Sequence, residues 1–229
     1  MEEVSTAAPE LTARGRASRA RIVQAATRLM LEQGVNATSV EDVLAAAGAS
    51  KSQLYHYFNG KQQLVQAVIE AAAAAVFAAQ LPFVDTLDSW EAIEGWCNHI
   101  ISLKERNGCA LGCPLGTLTS ELAATDEAAR ALLADSYDRW ESHLRTGLTA
   151  MRGQGLLEPS AEIDVLATAT MASLQGGLLL AKATQSVRPL RIALDAAVAY
   201  LRTFQTPPQT GRPRSAIPNL SKENRRGRL

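Results

Sequence analysis

The segment GASKSQLYHYFNGK, residues 48–61, crowds Tyr55, Tyr57 and Phe58 into four consecutive positions with His56 among them, in a chain that is only 5% aromatic. Gly48 permits a tight turn, Ser50 can cap a short helix over about 51–57, and Asn59-Gly60 ends it. Upstream, Thr38 or Ser39 can cap another short helix running through Ala46. Its first turn holds Glu41 and Asp42, where carboxylates complement the helix dipole. Before that, Ile22, Ala25, Ala26, Leu29 and Met30 recur at helical spacing over about 18–33, and Gly34 stands where a helix-ending glycine belongs.

Two short helices joined by a glycine-containing turn, with a preceding helix to pack on, match a helix-turn-helix unit. In that geometry the second helix enters the major groove and its N-terminal residues reach base edges. Those residues are Lys51, Ser52 and Gln53, just after the capping Ser50; lysine can bond guanine and glutamine can pair with adenine. Tyr55 and His56 continue the outward face, and a phenol can bond a phosphate oxygen while its ring lies on a sugar or thymine methyl. Leu54 and Phe58, four apart, face inward. The simpler alternative makes all three rings the core of a small helical unit. It suits Phe58 best, suits Tyr55 poorly because that residue is offset from the Leu54–Phe58 face, and leaves Tyr57 assigned to neither side. Lys61 opens the next helix, about 61–79, where side-chain charge and free backbone N–H groups both favour phosphate.

The whole chain of 229 residues has zero formal net charge, but the charge is unevenly placed. Residues 11–60 hold six bases (Arg14, Arg16, Arg19, Arg21, Arg28, Lys51) against three acids. Residues 61–205 hold eleven bases against sixteen acids, and residues 206–229 six bases against one acid. A basic N-terminal third on an acidic body points to a polyanion partner at one end. Arg14, Arg16 and Arg19 read most simply as a solvated charged end, with a place beside the minor groove as the functional alternative. Residues 1–16 and 206–229 lack apolar periodicity and read as a disordered arm and a disordered basic tail. The tail is either a solvated end or a non-specific attraction to DNA.

Hydrophobic content of 47% is ample for a core. No uninterrupted run of about 18 apolar residues predicts a membrane span, and the N-terminus MEEVSTAAPELTARGR carries acids where a signal peptide needs positive charge. A cytoplasmic protein with no membrane partner is expected. Alanine- and leucine-rich runs broken by Gly, Pro or Asn predict an all-α fold, with body helices at about 88–106, 114–124, 126–152, 161–184 and 188–204.

Over about residues 18–77 the sequence resembles the tetracycline-repressor (TetR) family of transcriptional regulators. The resemblance rests on RIVQAATRLMLEQGVNATSVEDVLAAAGASKSQLYHYFNGKQQLVQAVI, residues 21–69, where caps, turn glycine, aromatics and lysine hold one register. It implies an N-terminal three-helix DNA-binding domain, about 17–77 with the motif near 39–58, and a larger ligand-binding and dimerisation domain, about 78–205. It also implies a homodimer. Residue by residue, Thr38, Tyr55 and Lys61 fall on phosphate-contacting positions, and Lys51, Ser52, Gln53 and His56 on base-reading ones. Further on, GCALGCPLGTLTSELAA (108–124), the long helix bearing Trp140 and SLQGGLLLAKA (173–183) look like the branch of repressors of flavonoid- and drug-responsive efflux genes. That implies a hydrophobic or aromatic small-molecule inducer.

A cavity in such a body needs apolar walls and a few polar groups. Trp96, Ile100, Leu103, Leu115, Leu118, Trp140, Leu144, Met171, Leu174 and Leu178 can supply walls, with His99, His143, Thr117 and Gln175 as polar handles. Each can equally be ordinary core. The helices at about 161–184 and 188–204 carry little charge along one face. Ile163, Leu166, Thr170, Leu174 and Leu178 form a stripe that the resemblance assigns to a four-helix dimer interface and that a purely internal core would also explain. Half-sites one turn apart likewise call for two linked recognition helices.

Cys97, Cys109 and Cys113 suggest no disulfide framework. Cys109-x3-Cys113 has poor spacing for structural zinc, so no metal or other cofactor is expected. A thiol switch needs exposure and a lowered pKa, and Cys113 just before a helix could meet the second condition. The leading expectation is therefore a homodimeric repressor released from a palindromic operator by a hydrophobic inducer. A cysteine-switched repressor of the same fold is the alternative. An enzyme acting on a hydrophobic small molecule is a remote one, since no nucleophile–base motif, phosphate loop or paired catalytic carboxylate occurs.

Overall fold

A computed structural model describes residues 11–110 and 112–207. Residues 1–10 of the expected arm and 208–229 of the expected basic tail lie outside them. Nine α-helices account for most of the described chain: α1 Ala13–Gln33, α2 Val40–Ala47, α3 Lys51–Tyr57, α4 Lys61–Ala78, α5 Trp90–Asn107, α6 Pro114–Leu122, α7 Glu127–Gly153, α8 Ile163–Thr184 and α9 Arg188–Arg202. A short 3-10 turn, Phe83–Asp85, precedes α5, and a lone antiparallel bridge joins Leu157 to Gln205. The fold is all-α, with a small helix-turn-helix domain followed by a larger helical body.

α1 begins five residues earlier than its apolar spacing suggests. The Thr12 hydroxyl accepts from the Gly15 amide at 3.2 Å and caps the helix, so residues 13–16, expected in the arm, are helical. The extra turn presents no apolar stripe, because it extends past the body it packs on. Arg19 also departs from the solvated reading: its guanidinium lies over the Phe58 ring at 5.1 Å.

α1 packs on α2, α3 and α4, and Ile22, Ala26, Met30, Val43, Leu54 and Leu64 close a small core between them. α4 runs on into the body against α6 and α7, so one rigid helix belongs to both domains. At the far end α8 lies along α9 and α7. Gly177 makes the α8–α9 approach possible, since a Cβ there would stand 3.0 Å from Ala193 Cβ and Leu190 Cα. Gly147 of α7 is tighter still: a Cβ would meet the Leu87 carbonyl oxygen at 2.1 Å.

α8 is long and apolar enough to cross a membrane by length and composition alone. Here its inner face packs against α7 and α9. The stripe expected at a dimer interface, Ile163, Leu166, Thr170, Leu174 and Leu178, is this inner face and is buried within the single chain. The outward apolar residues are instead Val165, Leu179 and Leu180 on α8 with Ile192 and Tyr200 on α9. A stripe of the right period shows that a helix has an apolar side; with α8 apolar nearly all round, it could not tell which side meets the body.

Candidate nucleic-acid interface and ligand cavity

Each short helix of the helix-turn-helix is closed by a reciprocal cap. In α2 the Ser39 hydroxyl accepts from the Asp42 amide at 3.1 Å, and the Asp42 carboxylate accepts from the Ser39 amide and hydroxyl at 2.9 and 2.6 Å. The Ser39 hydroxyl first, then its amide, hold the Asp42 carboxyl below its ordinary pKa. In α3 the Ser50 hydroxyl accepts from the Gln53 amide at 3.2 Å while Gln53 Oε1 accepts from the Ser50 amide at 2.8 Å. Such boxes satisfy the N–H groups that a helix start leaves without partners. Between them Gly48 adopts φ 58° and ψ 41°, the left-handed conformation that the turn requires.

This framing orients α3. Leu54 and Phe58 are buried against α1, whereas Lys51, Ser52, Gln53, Tyr55 and His56 are exposed, Tyr55 at 50%. Tyr57 settles on the inner side: it is half-buried, packs on the core and meets the Phe58 ring edge-on at a centroid separation of 6.4 Å. The His56 ring leans on Tyr57 at 4.9 Å. Lys51 Nζ lies 3.8 Å from Glu41 of α2, an exposed pair that solvent screens.

Two of the expected phosphate contacts are arranged differently from expectation. Thr38 is fully buried. Its hydroxyl donates to the Gly34 carbonyl at 2.7 Å and accepts from Gln33 Nε2 at 3.3 Å, so it braces the α1–α2 loop and offers nothing to a duplex. Ser39, the next residue, holds the exposed capping position. Lys61 stands at the first position of α4, beside free backbone N–H groups, but its ammonium donates to the Val35 carbonyl at 2.7 Å. The Val35 amide in turn donates to Glu121 Oε2 of α6 at 2.7 Å. Gly34, at φ 97°, lets that carboxylate come close: a Cβ there would lie 3.1 Å from Glu121 Oε2. One peptide segment thus joins the body to the lysine that opens α4. Nothing in the spacing of Glu121 signalled this, 86 residues from its partner.

In the body a cavity of about 200 Å³ lies between α4, α5, α6, α7 and α8. Of the residues expected to wall it, Ile100, Leu103, Trp140, Leu174 and Leu178 do so. Ala75, Val76, Ala79, Gln80, Lys104, Cys113 and Pro114 complete the lining and were not anticipated. Trp96, Leu115, Leu118, Leu144 and Met171 are instead buried core. His99 stacks on Phe83 at 4.7 Å with Nε2 2.8 Å from the Ala79 carbonyl, and His143 lies 3.6 Å from Asp85; neither lines the cavity. Thr117 and Gln175 line a separate, more polar groove of about 470 Å³ with Tyr137 and Lys182, reached on the other side of Cys113.

Gln80 organises the cavity floor. Buried at 3% exposure, its Oε1 accepts from both Trp96 Nε1 at 2.8 Å and Trp140 Nε1 at 3.1 Å, and its Nε2 donates to the Val76 carbonyl at 2.9 Å. The one available signal was a polar residue ending the long apolar run of α4. The three cysteines are free and buried. Burial, then Asp195 and Glu94, push the Cys97 thiol up to about 12. Burial also raises Cys113, outweighing the Gly116 and Leu115 amides, Gln175 and Lys104. The helix start at Cys113 therefore does not yield a thiolate. No cluster of three or more metal-ligating side chains occurs among the described residues.

Comparison with known proteins matches both halves of this architecture. Residues 22–68 fit the model of bacterial regulatory proteins of the tetR family, and residues 89–196 fit that of the LmrA/YxaF-like transcriptional regulator C-terminal domain. An uncharacterized HTH-type transcriptional regulator of Mycobacterium tuberculosis is 32% identical over 182 residues, covering 75% of this chain and 88% of the relative. The chain is a transcriptional regulator of the TetR family. YxaF of Bacillus subtilis, an uncharacterized HTH-type transcriptional regulator, is 28% identical over 194 residues, covering 84% of this chain and 98% of its own. Among solved structures, a TetR regulator from Chloroflexus aurantiacus superposes with a TM-score of 0.73 at 24% identity, covering 85% of this chain and 98% of that one.

Proposed function

We propose that the protein is a cytoplasmic homodimeric repressor that leaves a near-palindromic operator when a small hydrophobic ligand fills the body cavity. The observation that carries the DNA half is the division of α3. Leu54 and Phe58 lock it into the core, while Lys51, Ser52, Gln53, Tyr55 and His56 stand clear on a helix capped at its leading end. On this reading Lys51, Ser52 and Gln53 meet base edges, while Tyr55 and the donors that the Val35 carbonyl leaves free on the Lys61 ammonium meet phosphate oxygens, whose contacts fix register without reading sequence.

The dimer half is supported by apolar side chains that the single chain leaves uncovered on α8 and α9, with Leu179 exposed at 64% and Leu180 and Ile192 at 55%. Gly176 on the same side of α8 has open space at its Cβ position, room for a close neighbour. Release follows if the ligand favours a dimer state whose recognition helices no longer match the half-site spacing, and its differential affinity bounds the effect. The cysteine-switched reading loses support, because the Cys97 and Cys113 thiols are buried and held protonated.

Selection of bound duplexes from a random pool, followed by fluorescence anisotropy on the selected operator, tests the proposal. Tyr55→Phe and Lys61→Ala should weaken binding to all sequences alike, whereas Gln53→Ala should change preference at one base position per half-site. Recovery of sequences without dyad symmetry, or a Gln53→Ala variant with unaltered preference at every position, would refute the assigned roles.

A further inference from the structure

The chemical class of ligand follows from one side chain in the cavity. This inference rests on the reading that the cavity is the regulatory site. Its walls are apolar, chiefly Val76, Ile100, Leu103, Trp140 and Leu174, and no carboxylate lines them. Lys104, half-buried in the last turn of α5, is the one cationic residue of the lining. Its ammonium donates to the Gly112 carbonyl at 2.5 Å. No ion pair among the described residues includes it. The groups that act on it electrostatically are the sulfurs of Cys113 and Cys109, and burial keeps the Cys113 thiol neutral. Burial also lowers the pKa of Lys104 itself, as expected of an ammonium taken out of water without a counter-ion.

A half-buried cation beside an apolar chamber is under-compensated, and an anion delivered on an apolar body relieves it with a charge-assisted hydrogen bond. We propose that the cavity binds a hydrophobic monoanion, its ring or chain held between the apolar walls and its anionic oxygen on Lys104 Nζ. Two of the ammonium's three donors remain for that oxygen after the Gly112 bond. A simpler role for Lys104, tying the segment ahead of α6 to the end of α5, predicts no preference among ligand charges.

Calorimetry on the full chain with three probes of matched shape separates these roles: 4-ethylbenzoate, 4-ethylbenzyl alcohol and 4-ethylbenzylammonium. The acid should bind at least about tenfold tighter than the alcohol, a difference of about 1.4 kcal/mol, and the ammonium should give no measurable binding. Lys104→Met should reduce the acid to the affinity of the alcohol, and Lys104→Arg should keep the acid preference, with thermal melts reporting whether each variant is folded. If Lys104→Met does not fold, the wild-type probe order and the Lys104→Arg result decide. An alcohol that binds as well as the acid, or a folded Lys104→Met that still prefers the acid, overturns the charge assignment and leaves the cavity reading intact. Binding of none of the three overturns both. Acid binding that leaves operator affinity unchanged supports the anion site while refuting its regulatory role.

Discussion

The link from Glu121 through Val35 to Lys61 makes a quantitative claim about how the body is fastened to the DNA-reading domain. Glu121 Oε2 accepts from a backbone amide of a residue 3% exposed, at 2.7 Å. A hydrogen bond to a charged group is worth about 1.5–3 kcal/mol and a neutral one about 0.5–1.5. Glu121→Ala also leaves the Val35 N–H without its partner, so it should cost about 2 kcal/mol, while Glu121→Gln, which keeps an acceptor oxygen, should cost about 1. For a chain of this size each kcal/mol lowers Tm by roughly 2–4 °C, which predicts a loss of about 4–8 °C for the alanine variant and half that for glutamine. Circular-dichroism melts measure both. Hydrogen exchange locates the effect: if the Val35 amide opens locally, a 2 kcal/mol loss speeds its exchange roughly thirtyfold, on the scale of tenfold per 1.4 kcal/mol. A Glu121→Ala protein that melts within about 1 °C of wild type, with unchanged exchange at Val35, would show that the bond does not fasten the two domains.

Gly147→Ala should destabilise by about 1–3 kcal/mol or more, because its Cβ would fall 2.1 Å from the Leu87 carbonyl oxygen; urea titration should show a lower midpoint at unchanged slope, and an unchanged midpoint would refute the packing argument. Gln80→Leu strips two indole N–H groups of their shared acceptor and should cost about 2–6 kcal/mol at roughly 1–3 per orphaned group, read in the same titration. Asp42 has a depressed folded pKa. Its contribution is therefore present above the unfolded value, near 3.8, and is lost as pH falls through the lower folded value. The Tm gap between wild type and Asp42→Asn should accordingly close as pH drops from 5 to below 3, and a gap that widened would contradict the sign.

Helix positions were legible because their signals are local. Ser39, Gly48, Ser50 and Pro114 mark ends that the structure reproduces within a residue or two, since capping depends on neighbours three or four positions away. The inward turn of Leu54 and Phe58 was legible for the same reason. What the sequence concealed depends on which helices meet. Thr38 and Ser39 are both small hydroxyl residues at a helix start, and the fold of the loop decides that one is interior and the other exposed. Trp96 and Trp140 have equal claim to a cavity wall, yet only Trp140 reaches it, while Trp96 sits behind Gln80. On α8 the apolar residues surround the helix, so period alone could not separate Leu174, buried, from Leu179, exposed.

The cap on α3 has a consequence for the grammar of the operator. With Oε1 of Gln53 held by the Ser50 amide, the part of the side chain free to face a base is its NH2, which only donates. A donor alone matches purine N7, guanine O6 or thymine O4, whereas the two-pronged match to adenine needs the oxygen as well. Reading adenine in that way would mean turning that oxygen from the Ser50 N–H toward the groove, because the cap fixes the direction it faces even though its second lone pair is unused. On the proposed reading, an operator should therefore be permissive at the base that Gln53 meets, accepting guanine and thymine alongside adenine, with the stricter letters set by its neighbours on α3.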